Sequence, residues 1–137
     1  MWFYYTGIKH YAFIHSGSIK GYDDYTADAG AIHLAVLRWD GFASLEAGDS
    51  EGMVVTRTFT LTGRALWVNV DARGGELRAE LLGANNEVLA VSKPLSGDIP
   101  SGRMEWSVGA IDGSRGQSVH LRFRLRNAHF YSYWIEE

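Results

Sequence analysis

At 137 residues, 46% hydrophobic and 21% charged, with no cysteine and a net charge of −3, the chain has the composition of one globular domain. The acidic balance leaves no basic field to attract a nucleic-acid backbone or an anionic membrane surface. No apolar run approaches the roughly 20 residues of a spanning helix. Without cysteine there are no disulfides, thiolate metal sites or cysteine nucleophiles.

The opening MWFYYTGIKHYAFIH crowds Trp2, Phe3, Tyr4, Tyr5, Tyr11 and Phe13 into thirteen residues. No basic segment precedes the apolar stretch, and Gly7 and Lys9 interrupt it, so it does not read as a signal peptide; cytoplasm is the default location. Free termini fray unless docked, and an uncovered apolar strand is a template for pairing with another chain. Trp2, Phe3, Tyr4 and Tyr5 are therefore expected at the interface of a homo-oligomer. HSGSIKGYDDYTADAGA follows, with little apolar periodicity, as a long loop. This divides the chain into an aromatic arm with its junction loop, residues 1–30, and a second module, residues 31–137. Asp23, Asp24 and Asp28 in that loop are the candidate ligands if calcium binds, the alternative being a solvated loop. No other cofactor is expected: His10, His15, His33, His120 and His129 have no structural-zinc spacing.

Beyond residue 30 the dominant period is two. HLAVLRW is apolar on both faces, as a central, covered strand would be. In MVVTRTFTLTG, Val55, Phe59 and Leu61 oppose Thr56, Thr58 and Thr60. ALWVNVDA turns Leu66, Val68 and Val70 inward, leaving Trp67, Asn69 and Asp71 on the other face, and ELRAELL does the same with Leu77, Ala79 and Leu81. GANN then reads as the turn of a hairpin into EVLAVS. RMEWSV is expected to bury Met104, Trp106 and Val108. SVHLRFRLRN alternates Val119, Leu121, Phe123 and Leu125 with His120, Arg122, Arg124 and Arg126. Short strands between glycine-rich turns, with no 3.6-residue period, predict an all-β fold: a jelly-roll-like antiparallel β-sandwich with an aromatic N-terminal strand arm.

Three stretches carry a resemblance: AIHLAVLRWDGFASLEAG, TRTFTLTGRALWVNVDARGGELRAELL and VHLRFRLRNAHFYSYWIE. The residues concerned are Arg38, Asp40, Gly41, Phe42, Ser44 and Leu45, then Gly63, Leu66, Asn69, Gly75 and Leu77, and lastly Leu121, Arg122, Phe123, Tyr131 and Ser132. Over roughly residues 30–135 the chain resembles the C-terminal β-sandwich of bacterial proteins related to the five-bladed-propeller glycosidases of families 32 and 43. WFYYTG looks like the strand that ends the last propeller blade. The resemblance implies an accessory module without the family's catalytic carboxylates, partnered by a catalytic propeller or a carbohydrate.

The residues themselves show no catalytic constellation. Glycoside hydrolysis needs two carboxyl groups converging across a cleft, and none of the acidic residues lies in a motif that demands this. No G-x-S-x-G elbow, phosphate loop or dinucleotide fingerprint is present. Sugar recognition needs an aromatic platform beside charged or amide groups, a mixture found at Trp67, Asn69, Arg78, Glu80, Arg122 and Arg124. The competing reading packs Trp67 under a loop or a partner and pairs the arginines with cross-strand glutamates. Trp39 is a weaker second platform. The expected function is thus a non-catalytic accessory module, with a stand-alone oligomerising domain and a glycosidase fragment with an unrecognised site as alternatives.

Overall fold

The computed structural model describes residues 1–8 and 30–137. The chain is all-β, antiparallel in every ladder and β-sandwich-like, as the periodicity predicts. It forms two compact units, Met1–Trp39 and Asp40–Glu137.

The first unit contains β1 (Trp2–Ile8) and β2 (Gly30–Val36), paired from Trp2↔Val36 to Ile8↔Gly30. The amino group of Met1 donates to the Leu37 carbonyl at 2.7 Å and the Leu37 amide donates back to Met1 at 2.8 Å, which closes the ribbon's end. HLAVLRW therefore does not supply a covered strand of the sandwich. Its residues pair with the arm, and Ile32, Leu34 and Val36 are exposed. One edge of the aromatic arm is thus taken by its own chain.

In the second unit, β3 (Leu45–Ala47), β4 (Gly52–Val55) and β5 (Phe59–Thr60) are short strands at the margins. The centre is β6 (Ala65–Gly83), 19 residues long. Along one edge it pairs with β10 (Ser118–Arg126) and β11 (Ala128–Glu136), along the other with β7 (Val88–Ser92) and β8 (Leu95–Arg103). The short β9 (Trp106–Val108) adds to β7. The path β3-β11-β6-β10-β4 makes one bent sheet whose two arms enclose a single core.

The segments ALWVNVDA and ELRAELL, read as two strands, are the two arms of β6. The inward set is Leu66, Val68, Val70 and Ala72 on one arm and Leu77, Ala79 and Leu81 on the other, all at 0% exposure. The parity flips between them because the ladder shifts between Ala72 and Leu77. Strands that turn a corner do so at such irregularities. Gly75 permits it by close approach: a Cβ there would sit 1.8 Å from the Arg126 carbonyl oxygen. On the partner edge Asn127 takes a left-handed φ of 44°, while its amide donates to Gly48 O at 2.9 Å.

GANN does turn β6 into β7, with Asn86 at φ 66°. Of the three residues expected inside on RMEWSV, Met104 is buried and Trp106 packs partly against the core, but Val108 is 62% exposed. Among the described residues the short β9 pairs only with β7, which leaves the Val108 end at the margin of the sheet.

Candidate functional site

The predicted sugar-binding residues fall into two separate places on the outer surface of the bent sheet. On the arm built by β6, β10 and β4 the register sets Glu80 opposite Arg122. Arg122 donates to Glu80 Oε2 in a short contact, and Arg124 Nε donates to Glu80 Oε1 at 3.0 Å. Arg124 Nη1 also reaches Glu51 Oε1 at 2.6 Å, and Arg78 is paired with Glu76 at 3.0 Å. Hydrogen bonds to Glu51 and Glu80 hold the Arg124 guanidinium above its ordinary pKa. The donors and acceptors meant for a ligand are thus directed at one another, the behaviour of cross-strand charge pairs on a solvated face.

Trp67 lies on the other arm, beyond the corner. It is partly buried, stacks on Trp134 with ring centroids 6.2 Å apart and planes 7° apart, and donates its Nε1–H to Glu136 Oε2 at 2.8 Å. Asn69 follows the outward parity but is fully buried, so it is not an accessible ligand for a sugar. Alternation fixes the side on which a residue stands, not what lies over that side. Its cross-strand neighbour Ser132 donates Oγ–H to Asp40 at 2.8 Å. Asp40 itself takes φ 52°. Asp40, Asn69 and Ser132, drawn from three separate stretches, are thereby neighbours around one point of β11.

Trp134, Glu136 and Arg103 were not singled out by the sequence. Trp134 shares the parity of Ser132 and Glu136 on β11, a signal that was available. Arg103 is placed beside Trp67 only by the β6–β8 register. Trp39 is 66% exposed.

Between β3, β4 and β11 a cleft of about 400 Å³ is lined by Leu45, Val54, Phe130 and Tyr133, with Ser44 and Ser132 beside them. Its walls are mainly apolar and include no carboxylate.

The candidate calcium ligands Asp23, Asp24 and Asp28 lie outside the described residues. Among the described residues no group of three or more His, Asp or Glu side chains is placed to hold a metal ion. Trp2, Phe3, Tyr4 and Tyr5 are all exposed on β1, with Tyr5 stacked on His33 at 5.1 Å. Comparison of the chain with family models, curated proteins and solved structures gives no match.

Proposed function

We propose that this protein is a non-catalytic accessory module that braces a catalytic propeller of the glycosidase type, docking through the β1–β2 ribbon. The observation that carries the reading is one face of that ribbon. The pairs Trp2–Val36, Tyr4–Leu34 and Thr6–Ile32 stand side by side on it. Trp2 is 67%, Tyr4 69%, Ile32 78% and Val36 67% exposed, so the face is both apolar and uncovered.

Soluble proteins rarely leave contiguous apolar faces of that kind without a partner, and an isolated two-stranded ribbon is marginal in water. The ribbon is an independent sheet of two strands. A propeller blade is a four-stranded sheet packed face to face on its neighbours. Two paired strands with an apolar face are the shape that completes such a blade. The resemblance of WFYYTG to the end of a last blade names the occupant.

The test is co-expression with a five-bladed glycosidase propeller encoded in the same genomic neighbourhood. Co-elution, lost in the double variant Tyr4→Asp/Ile32→Asp, is the expected result. A chain that never co-elutes, or whose co-elution survives the double variant, overturns the reading. Self-association that disappears in the variant, without propeller binding, favours the homo-oligomer instead.

A further inference from the structure

We propose that the cross-strand row Trp134–Trp67–Arg103, with Glu136 at its margin, is a binding platform for a neutral oligosaccharide. This site is built wholly from residues of the Asp40–Glu137 unit and does not depend on a propeller partner. It also differs from the set expected from sequence, most of which lies on the other arm and is engaged in ion pairs.

The row follows from register. Trp134 is opposite Trp67 on β11 and β6, and Trp67 is opposite Arg103 on β6 and β8. Directly opposed residues project to the same side of a sheet. Here that side is the outer one, since Leu66 and Val68 are fully buried and Gly102 and Met104 flank Arg103 on the inner side. Three adjacent strands span about 10 Å from first to last, which suits a short chain of sugar rings lying across the strands.

The chemistry along the row is graded. The two indoles are nearly parallel, 7° apart, and Trp134 keeps 37% of its surface exposed. The Trp67 N–H is already bound to Glu136 and its ring is stacked on Trp134, so the ring surface the pair offers is chiefly that of the more exposed Trp134. Ring surface of this kind receives the C–H face of a sugar. The exposed carboxylate of Glu136 accepts from hydroxyl groups at one end, and the guanidinium of Arg103 donates to them at the other. Arg103 is exposed and is not drawn into an ion pair within 4 Å as Arg122 and Arg124 are, although its charge is felt at neighbouring Glu105. One acceptor and one cation bracketing an apolar strip favour a neutral ligand, because a polyanion meets Glu136 and a polycation meets Arg103.

Affinity electrophoresis of the full chain in gels containing arabinan, xylan, inulin or mixed-linkage glucan tests the platform. Retardation in at least one gel is expected. Trp134→Ala is expected to weaken binding about three- to tenfold, alongside a modest fall in melting temperature from the lost stacking on Trp67. Trp134→Phe, which keeps an aromatic face, should retain most of it, and Arg103→Ala should weaken it while leaving tryptophan stacking intact. If Trp134→Ala does not fold, Arg103→Ala at its exposed position decides. No retardation in any of the four gels, or retardation untouched by Arg103→Ala and Trp134→Ala, overturns the proposal.

Discussion

Phe123 and Tyr133 stand ten residues apart along the edge formed by β10 and β11, yet their ring centroids are 5.3 Å apart. A straight strand would separate them by about 33 Å. The edge therefore folds back on itself, turning at Asn127 while β6 turns at Gly74 and Gly75. Phe130 completes the cluster, 4.6 Å from Phe123. This contact is what makes two arms of one sheet into opposed layers.

Phe123→Ala follows from it. Phe123 is fully buried and touches both other rings, so truncation should remove about 3–5 kcal/mol of stability. Tyr133, 38% exposed, should lose markedly less on the same change. Denaturant midpoints of the two variants give the comparison, and equal losses would contradict it.

The corner itself is open to a sharper test. Gly75→Ala drives a methyl group against the Arg126 carbonyl and should destabilise by about 1–3 kcal/mol or more. At Gly74 the nearest atoms, on Asn127, are 3.6 Å from an added Cβ, so Gly74→Ala should be tolerated. Thermal melts that rank the two the other way would show that the corner is misplaced.

Ser92 supports the other edge of β6. It is buried, its Oγ accepts the Ala79 amide at 2.8 Å, and its hydroxyl donates to Lys93 O at 2.9 Å. Ser92→Ala strands a buried N–H, an expected loss of about 1–3 kcal/mol. Faster hydrogen exchange at the Ala79 amide, measured by NMR, should accompany it. An unchanged melt with unchanged Ala79 exchange would rule out this role.

Much of this fold was legible because it depends on local alternation. Leu66 to Val70, Leu77 to Leu81 and Val119 to Leu125 are inward as their period requires. What alternation does not carry is pairing across distance. The glycines at 74 and 75 read as a turn between strands, when they are a corner within one. HLAVLRW, residues 33–39, matches a covered strand by composition, yet the partner of its strand residues, His33 to Val36, is β1. The same limit governs the site: Trp67 faces outward as expected, but Asn69 is covered, and Arg103 joins Trp67 only through the β6–β8 register. Arg122 and Arg124 were legible as a polar row. Their pairing with cross-strand glutamates was legible too, as the alternative to a sugar site; that Glu80 takes both arginines was not.

The Lys93–Glu105 pair predicts a titration. Lys93 Nζ donates to Glu105 Oε2 at 3.0 Å, and this hydrogen bond, with the lysine charge, lowers the pKa of the glutamate below its ordinary value. A lowered folded-state pKa adds stability above the unfolded-state pKa, and that contribution disappears as pH falls through the folded one. Both side chains are exposed, so salt should weaken the effect. Carboxyl NMR should show Glu105 titrating low in the native chain and returning to the ordinary range in Lys93→Ala. No difference between the two would show that the ion pair does not form.

The last prediction concerns the apolar face of the β1–β2 ribbon. Tyr4 and Ile32 stand on that face at 69% and 78% exposure, and they belong to a compact unit distinct from Asp40–Glu137. Threonine at both positions supplies a strand-forming, β-branched side chain while removing most of the apolar surface. Each large side chain removed from such a face withdraws on the order of 1.5–3 kcal/mol of potential burial, which is available only when a partner covers it. The chain alone should therefore melt at the same temperature after Tyr4→Thr/Ile32→Thr. It should also bind less of a hydrophobic dye and stay monodisperse to higher concentration in light scattering. A marked fall in melting temperature would mean that these side chains already support the fold of the isolated chain, leaving the face no surplus to offer a propeller blade or a second copy.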